Sequence, residues 1–231
     1  MGNNYIEQKS LVPVISKAKF DDVVAEFLGD YYPEALARPM PVPIVDIARK
    51  MGLRVITNHR LSEDFSIFGQ MCFTSGLATI YDKDEDEYRD IRVRRGTMLI
   101  DPDTINLRNV GCMKNTVAHE CVHWYKHRNY HLYERGIGET PKLTNRCPVE
   151  EKDDRFREEW TDIDWMEWQA NAIAPRILMP KQTFIKAIGD ILFDSTWEKT
   201  PEWWVVNKVA ELYEVSKQSA WIRLHELEIM I

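Results

Sequence analysis

Hydrophobic positions recur every three or four residues between 18 and 28, which predicts an amphipathic helix that ends at Gly29. A proline-rich linker at 38–43 follows this helix. The next apolar pattern, Ile44 to Met51, predicts a second short helix. We therefore interpret residues 1–40 as an N-terminal helical segment that precedes the core of the protein.

Residues 53–100 change to short runs rich in β-branched and aromatic side chains, which predict strands. The acidic stretch Asp82–Glu87 lacks the glycine and the terminal glutamate of an EF-hand loop, so we interpret it as the tip of a hairpin. We expect a small, mostly antiparallel sheet. Its predicted strands are 53–57, 68–73, 77–81, 88–94 and 97–100.

Helical spacing returns after Asp103 and continues to about His127. A further helix is predicted from Trp165 to Met179, where Pro180 ends it. The last stretch, 203–231, holds two helical patterns with the outline of a helix-turn-helix, and Ser216 is the expected N-cap of the second.

The segment from Tyr133 to Thr161 has no regular pattern and is predicted to be a long loop that covers a cleft. Taken together, the elements predict an α+β fold in which the sheet packs against helices. The predicted division is a core over 41–185 and a C-terminal helical subdomain, 186–231, packed on that core.

The charge balance of the chain narrows the possible partners. The formal net charge is −7 and the pI about 5.5, which disfavours broad attraction to nucleic acid or to an anionic membrane. No apolar run predicts a signal peptide or a transmembrane segment, so we expect a cytoplasmic protein. The cysteines form no C-x-x-C pair and are predicted to be reduced thiols: Cys72, Cys112, Cys121 and Cys147.

The helix that ends near His127 carries the motif His119-Glu120-Cys121-Val122-His123. On a helix, the four-residue spacing brings both imidazoles onto one face, where they can bind a single zinc ion. Glu120 projects about 100° from His119, beside the metal, which is the position of a general base. Cys121 lies about 200° from His119 and is expected to point into the core.

Two histidines are not enough for a zinc hydrolase, which uses three protein ligands and leaves one position for water. The metzincin pattern is excluded because Lys126 and Asn129 stand where that class has glycine and histidine. His127 lies about 80° around the helix from His119 and is poorly placed to reach the same ion.

Glu167 is the better candidate, because it lies on an otherwise apolar face of the helix that ends at Pro180. A carboxylate there requires a cationic partner, and a two-histidine, one-glutamate zinc site supplies one. An ion pair with an arginine in the core is the alternative. One turn further, Asn171 either supports a ligand histidine or makes a core hydrogen bond.

These motifs resemble the ImmA/IrrE family of zinc metallopeptidases, as do the segments Tyr31–Leu36 and Val45–Met51. The resemblance implies a zincin-like, gluzincin-type core with His119, His123 and Glu167 as zinc ligands and Glu120 as the general base. It also implies that the protein cuts one specific protein, a helix-turn-helix transcriptional repressor. The residues that carry it are His119–Trp124 with His127, Glu167-x-x-Ala170-Asn171 and Leu178-Met179-Pro180.

The chain departs from the commonest family pattern at two places. Cys121-Val122 replaces Leu-Gly between the histidines, and Pro175 stands where alanine is frequent. A second donor for the developing negative charge is expected among Tyr125, Tyr130, His127 and Arg176. A sheet edge beside the cleft is expected to align an extended peptide.

Two other functions compete with peptide hydrolysis. A DNA-binding regulator would use residues 202–231, but three basic residues against five acidic ones give this segment a net charge of −2, which favours a structural or docking role. A metal-stabilised, antitoxin-like module that never cleaves its partner is the second alternative. The sequence does not fix the oligomeric state.

Overall fold

Helices and short strands alternate along the part of the chain that the structure describes, so the predicted α+β class is confirmed. The structure is a computed structural model. It describes residues 12–136, 144–148, 160–196 and 199–229, with the backbone alone at 133–136 and 144–148.

Three helices precede the first strand. After a 3-10 turn, α1 (Phe20–Tyr31) buries the apolar face that its sequence pattern predicts. It continues past Gly29, so the predicted end is wrong; the buried face holds the chain helical through a residue of low propensity. A short α2 (Glu34–Ala37) follows, and then α3 (Ile44–Lys50). Gly52, two residues after the end of α3, has a φ of +78° that suits glycine.

The strands form two sheets rather than the one that we predicted. A four-stranded sheet has the order β1-β5-β2-β6, in which only the β1–β5 pair is parallel. β3 and β4 form a separate antiparallel hairpin whose tip is the acidic stretch Asp82–Glu87. The bounds are β1 (Arg54–Ile56), β2 (Ile67–Cys72), β3 (Gly76–Asp82), β4 (Glu87–Val93), β5 (Thr97–Ile100) and β6 (Thr144–Pro148).

The prediction of a continuous loop over 133–161 is wrong in two places. Helix α5 (Arg128–Gly136) extends into it, and β6 pairs with the outer edge of β2. Neither element has a strong local signal, because pairing with an open sheet edge depends on tertiary structure rather than on periodicity. The rest of that loop prediction, residues 137–143 and 149–159, lies outside the described residues.

Two long helices pack against each other, and the first of them also packs on the sheet. A π-helical turn (Thr104–Arg108) leads into α4 (Val110–Val122), and a second π turn (His123–His127) joins α4 to α5. The other long helix, α6 (Asp162–Leu178), runs through Pro175 as one element.

The hydrophobic core lies between these helices, the sheet and α1. On α4, Val117 and Cys121 are fully buried in it, on the side predicted to face away from the histidines. The partly buried Trp124 packs against the same core.

The C-terminal helices form a second apolar cluster that docks on α4. They are α7 (Lys181–Phe193), α8 (Glu202–Tyr213) and α9 (Lys217–Glu226), and the side chain of Ser216 caps α9 as predicted. Lys114 of α4 donates to Tyr213 O at 3.4 Å and to Glu214 at 3.2 Å. The domain limits at 40/41 and 185/186 remain predictions. Among the described residues, no helix is both long and apolar enough to cross a membrane.

Candidate metal centre

Three side chains converge at one place, and they come from α4, from the π turn that follows it and from α6. His119 Nε2 lies 2.9 Å from His123 Nε2, and the two nitrogens lie 3.2 Å and 3.3 Å from the carboxylate oxygens of Glu167. All three potential ligand atoms lie within 4.8 Å of one another. Both imidazoles are buried, and the Glu167 side chain is 15% exposed.

This geometry fits a metal ion. Zinc bonds of about 2.0–2.1 Å at tetrahedral angles separate neighbouring ligand atoms by about 3.3–3.4 Å. The separations of 2.9 to 3.3 Å between the His119, His123 and Glu167 atoms come close to that value. Two imidazoles and one carboxylate are also a donor set that zinc accepts. The cluster is therefore able to hold a metal ion.

Side-chain caps fix the start of α4 and the start of α6, the two long helices of the site. The side chain of Asn109 accepts from Cys112 N at the start of α4, about three turns before His119 and about four turns before His123. At the start of α6, Thr161 and Asp164 form a reciprocal capping box, one turn before Glu167. Caps of this kind contribute about 1 kcal/mol each and set where each helix begins.

The electrostatics of the cluster suit a metal ligand set. Burial, only partly offset by Glu167, lowers the pKa of His123, so its imidazole is neutral near pH 7 and has a lone pair for a metal. Burial by itself raises the pKa of Glu167, but the neighbouring His123 and His119 more than reverse this and hold the pKa below its usual range. Glu167 therefore presents a carboxylate.

Glu120 lies beside the three ligand candidates, as the sequence predicts for a general base. Its side chain is fully buried, and neither carboxylate oxygen has a hydrogen-bond partner among the described residues. Burial, followed by the nearby charge of Glu167, raises the pKa of Glu120 well above its usual value. Burying a carboxyl without a hydrogen-bond partner costs free energy, and such a group indicates a functional site that binds a ligand or a water molecule.

The residue that supports a ligand histidine is not the one that we weighed from the sequence. His123 Nδ1 contacts His127 Nδ1 at 3.0 Å, and His127 Nε2 contacts Gln169 Oε1 at 3.0 Å. Asn171 instead lines a neighbouring cavity. His119 Nδ1 has no hydrogen-bond partner among the described residues, so Asn171 does not support it.

The sequence contained a signal for His127. Its four-residue spacing from His123 repeats the spacing between His119 and His123 and places the two rings side by side. The sequence contained no such signal for Gln169. Its contact with His127 joins α6 to the π turn, and a contact between distant segments leaves no spacing pattern in the sequence.

The four expected donors for negative charge all contact other side chains. Tyr125 donates to Asp30 at 2.9 Å, Arg176 pairs with Glu226 at 2.9 Å, and His127 lies behind His123. The Tyr130 ring packs edge-on against His131.

The three thiols that the structure describes take no part in the cluster. Cys72, Cys112 and Cys121 are free, as predicted, and burial is the main cause that raises the pKa of each. The predicted state of Cys147 lies outside the described side chains.

Comparison with known families gives a match. Residues 148–225 match the family model Peptidase_M78, described as an IrrE N-terminal-like domain. The matched range contains Glu167 and Gln169, while His119 and His123 lie before it. No match was found among curated proteins. The resemblance of this chain to the ImmA/IrrE family of peptidases is thereby confirmed.

Proposed function

We propose that the protein is a zinc-dependent peptidase with a zincin-like core, in which His119, His123 and Glu167 bind the metal and Glu120 is the general base. One observation carries the proposal: a buried carboxyl with no hydrogen-bond partner among the described residues lies beside a cluster of two imidazoles and a carboxylate. The match to a peptidase family supports it.

Each residue of the site has a separate task. When bound, zinc supplies Lewis acidity, which lowers the pKa of a coordinated water toward about 7 and polarises a carbonyl oxygen. Glu120 accepts the proton of the attacking water and later delivers it to the leaving amine. Its raised pKa suits this exchange, because a carboxyl poised closer to neutral pH both takes up and releases a proton.

Strand β2 is the element best placed to align a substrate peptide. Gly69 of β2 lies against Glu120, so this strand passes beside the proposed reacting group. Its outer edge is paired with β6, in the register Gly69–Cys147 and Gln70–Arg146. An extended peptide that adds to β2 by β-augmentation would take the place of β6. In this arrangement β6 protects the edge until a substrate displaces it.

The proposed substrate is a helix-turn-helix transcriptional repressor, which follows from the ImmA/IrrE resemblance. The proposed compartment is the cytoplasm, as expected from the sequence. We assign the α8–α9 pair a docking or structural role rather than DNA binding. Its buried face joins it to α7 and α4, and the net charge of −2 over residues 202–231 disfavours DNA.

The decisive experiment mixes the zinc-loaded protein with repressors encoded near its gene and follows cleavage by mass spectrometry. Glu120→Gln and Glu120→Ala are expected to keep zinc and to abolish cleavage, since each removes the base and leaves the three ligands. Glu85→Gln is the matched control, because this exposed glutamate lies at the tip of the β3–β4 hairpin.

Two outcomes would contradict the proposal. Unchanged cleavage by Glu120→Ala would exclude Glu120 as the base. A repressor that binds the zinc-loaded protein and stays intact after long incubation would instead support the non-cleaving, metal-stabilised module. Salt-dependent binding to DNA, measured in parallel, would support the DNA-binding regulator.

A further inference from the structure

A row of buried polar contacts leads away from the metal cluster to the N-terminal segment. His123 Nδ1 contacts His127 Nδ1 at 3.0 Å, and His127 Nε2 contacts Gln169 Oε1 at 3.0 Å. Gln169 Nε2 then donates to the carbonyl of Pro13 at 2.8 Å. The row links the π turn after α4, the middle of α6 and the segment before α1.

We infer that His127 and Gln169 are positioning residues, which fix the ring and the tautomer of the ligand His123 through a one-way chain of hydrogen bonds that starts at the Pro13 carbonyl. The inference rests on the metal site of the proposed function. It adds two residues to that site, neither of which touches the metal or the substrate.

The direction of these hydrogen bonds follows from the Pro13 carbonyl. A carbonyl oxygen only accepts, so the Gln169 amide nitrogen donates to Pro13 and its oxygen faces His127 as an acceptor. His127 must then carry its proton on Nε2. A neutral imidazole has one N–H, which leaves His127 Nδ1 as an acceptor and requires His123 to donate from Nδ1.

The consequence falls on the metal-facing nitrogen. With its proton on Nδ1, His123 keeps the lone pair of Nε2 free, and Nε2 is the atom that lies 2.9 Å from His119 and 3.3 Å from Glu167. The tautomer that a metal needs is thus imposed by one backbone carbonyl. Ligand histidines commonly gain orientation and basicity from a partner on the second nitrogen.

Burial makes the chain rigid. His123 and His127 are fully buried, and Gln169 is 2% exposed, so bulk water does not compete for these contacts. The support is one-sided, since His119 Nδ1 has no hydrogen-bond partner among the described residues.

The first test reads the tautomers directly. Long-range proton–nitrogen NMR correlation spectra of the histidine rings, recorded with and without zinc, are expected to show His127 protonated on Nε2 in both states. His123 is expected to be protonated on Nδ1 in both states as well. A proton on His127 Nδ1, or a charged His127 ring at pH 7, would overturn the inference.

The second test changes Gln169 while keeping its size. Gln169→Met removes the acceptor for His127 and is expected to weaken zinc binding by about 10- to 100-fold, the usual effect of losing an outer hydrogen-bond partner of a metal ligand. Gln169→Glu keeps an acceptor for His127 Nε2–H and is expected to retain zinc affinity within a few-fold. Competition with a chromophoric chelator measures both variants, and the absorption bands of the cobalt-substituted protein report the ligand geometry.

Thr183→Val is the matched control. Thr183 is 3% exposed and donates to Ala35 O at 3.2 Å in another part of the core. This variant therefore loses a hydrogen bond that is about as buried as those of Gln169 but lies away from the site. Its zinc affinity is expected to be unchanged. Equal losses in Gln169→Met and Gln169→Glu, or no loss in either, would reduce Gln169 to a packing residue and overturn the inference.

The two proposals fail differently. A protein that binds no zinc refutes the proposed function, while the tautomer of His127 in the same protein still tests the chain. A protein that binds zinc and cleaves its substrate, but has the opposite His127 tautomer, refutes the chain and leaves the peptidase intact.

Discussion

Gly69 of β2 lies directly against the carboxylate of Glu120. A Cβ atom placed on Gly69 would lie 2.7 Å from Glu120 Oε1 and 2.7 Å from Thr116 Cγ2, closer than atoms approach without a clash. Because glycine has no side chain, the strand can approach the proposed general base closely at this position. The contact ties the position of the base to the strand proposed to align the substrate.

The first prediction follows from this contact. In Gly69→Ala the added methyl group is expected to push the Glu120 carboxylate aside and to reduce cleavage about a hundred-fold, the effect of misplacing a reacting group by about 1 Å. Zinc content is expected to stay unchanged, because no ligand candidate is touched. Steady-state cleavage and metal analysis of the same preparation test both expectations.

Gly29→Ala serves as the control for Gly69→Ala. Nothing lies within 4 Å of a Cβ atom on Gly29 of α1, so this variant adds the same methyl group without a clash. Full activity in both variants would show that Glu120 can move without cost, which would contradict its assignment as a closely held base.

A second prediction concerns the third ligand. Glu167→Gln replaces a charged donor with a neutral amide, and zinc affinity is expected to fall by more than about a hundred-fold, beyond the effect of outer hydrogen-bond partners. Zinc is also expected to raise the melting temperature of the wild-type protein more than that of this variant, because a ligand that binds the native state stabilises it by mass action. Chelator competition and thermal melts measure the two effects, and undiminished affinity would point to a different third ligand.

The sequence predicted the parts of this molecule that depend on local spacing. His119 and His123 meet because four residues make about one helical turn, and Glu167 was found because a carboxylate on an apolar helix face needs a partner. The structure brings all three together. The hairpin β3–β4 and the Ser216 cap also follow from local pattern.

The parts that the sequence did not predict depend on contacts between distant segments. β6 forms a strand because it pairs with the open edge of β2, and the local sequence of Thr144–Pro148 does not predict this pairing. Gln169 rather than Asn171 is connected to the ligand His123, and the connection runs through His127, which the π turn at His123–His127 places against α6. A single-sequence pattern assumes regular α-helix and misses such a turn.

A third prediction compares proline substitutions at two adjacent positions of β6, one of which serves as the control for the other. Asn145 and Arg146 are adjacent, and in an antiparallel pair successive N–H groups point alternately toward and away from the neighbouring strand. Proline at one of these positions therefore removes a hydrogen bond to β2, while proline at the other does not. One of the variants Asn145→Pro and Arg146→Pro is expected to cleave a short extended peptide faster than the wild type, because its β2 edge is easier to occupy.

Initial cleavage rates at low peptide concentration measure this effect, since competition for the edge acts mainly on KM. A lower KM in one variant and an unchanged KM in the other would support β6 as the occupant of the peptide-binding edge. Unchanged KM in both variants would contradict β-augmentation on β2.

The last prediction tests how the C-terminal helices dock on the metal-bearing helix. A Cβ atom on Gly111 of α4 would lie 2.6 Å from Ser216 N and 2.9 Å from Val215 C, both backbone atoms that cannot rotate away. Alanine favours a helix over glycine by about 1 kcal/mol, yet Gly111→Ala is expected to destabilise the protein, because the α8–α9 turn must move off α4. Gly189→Ala in the middle of α7 meets nothing within 4 Å and is expected to gain about 0.5–1 kcal/mol. Urea unfolding of the two variants measures changes of opposite sign, and stabilisation by both substitutions would show that the turn does not pack tightly on α4.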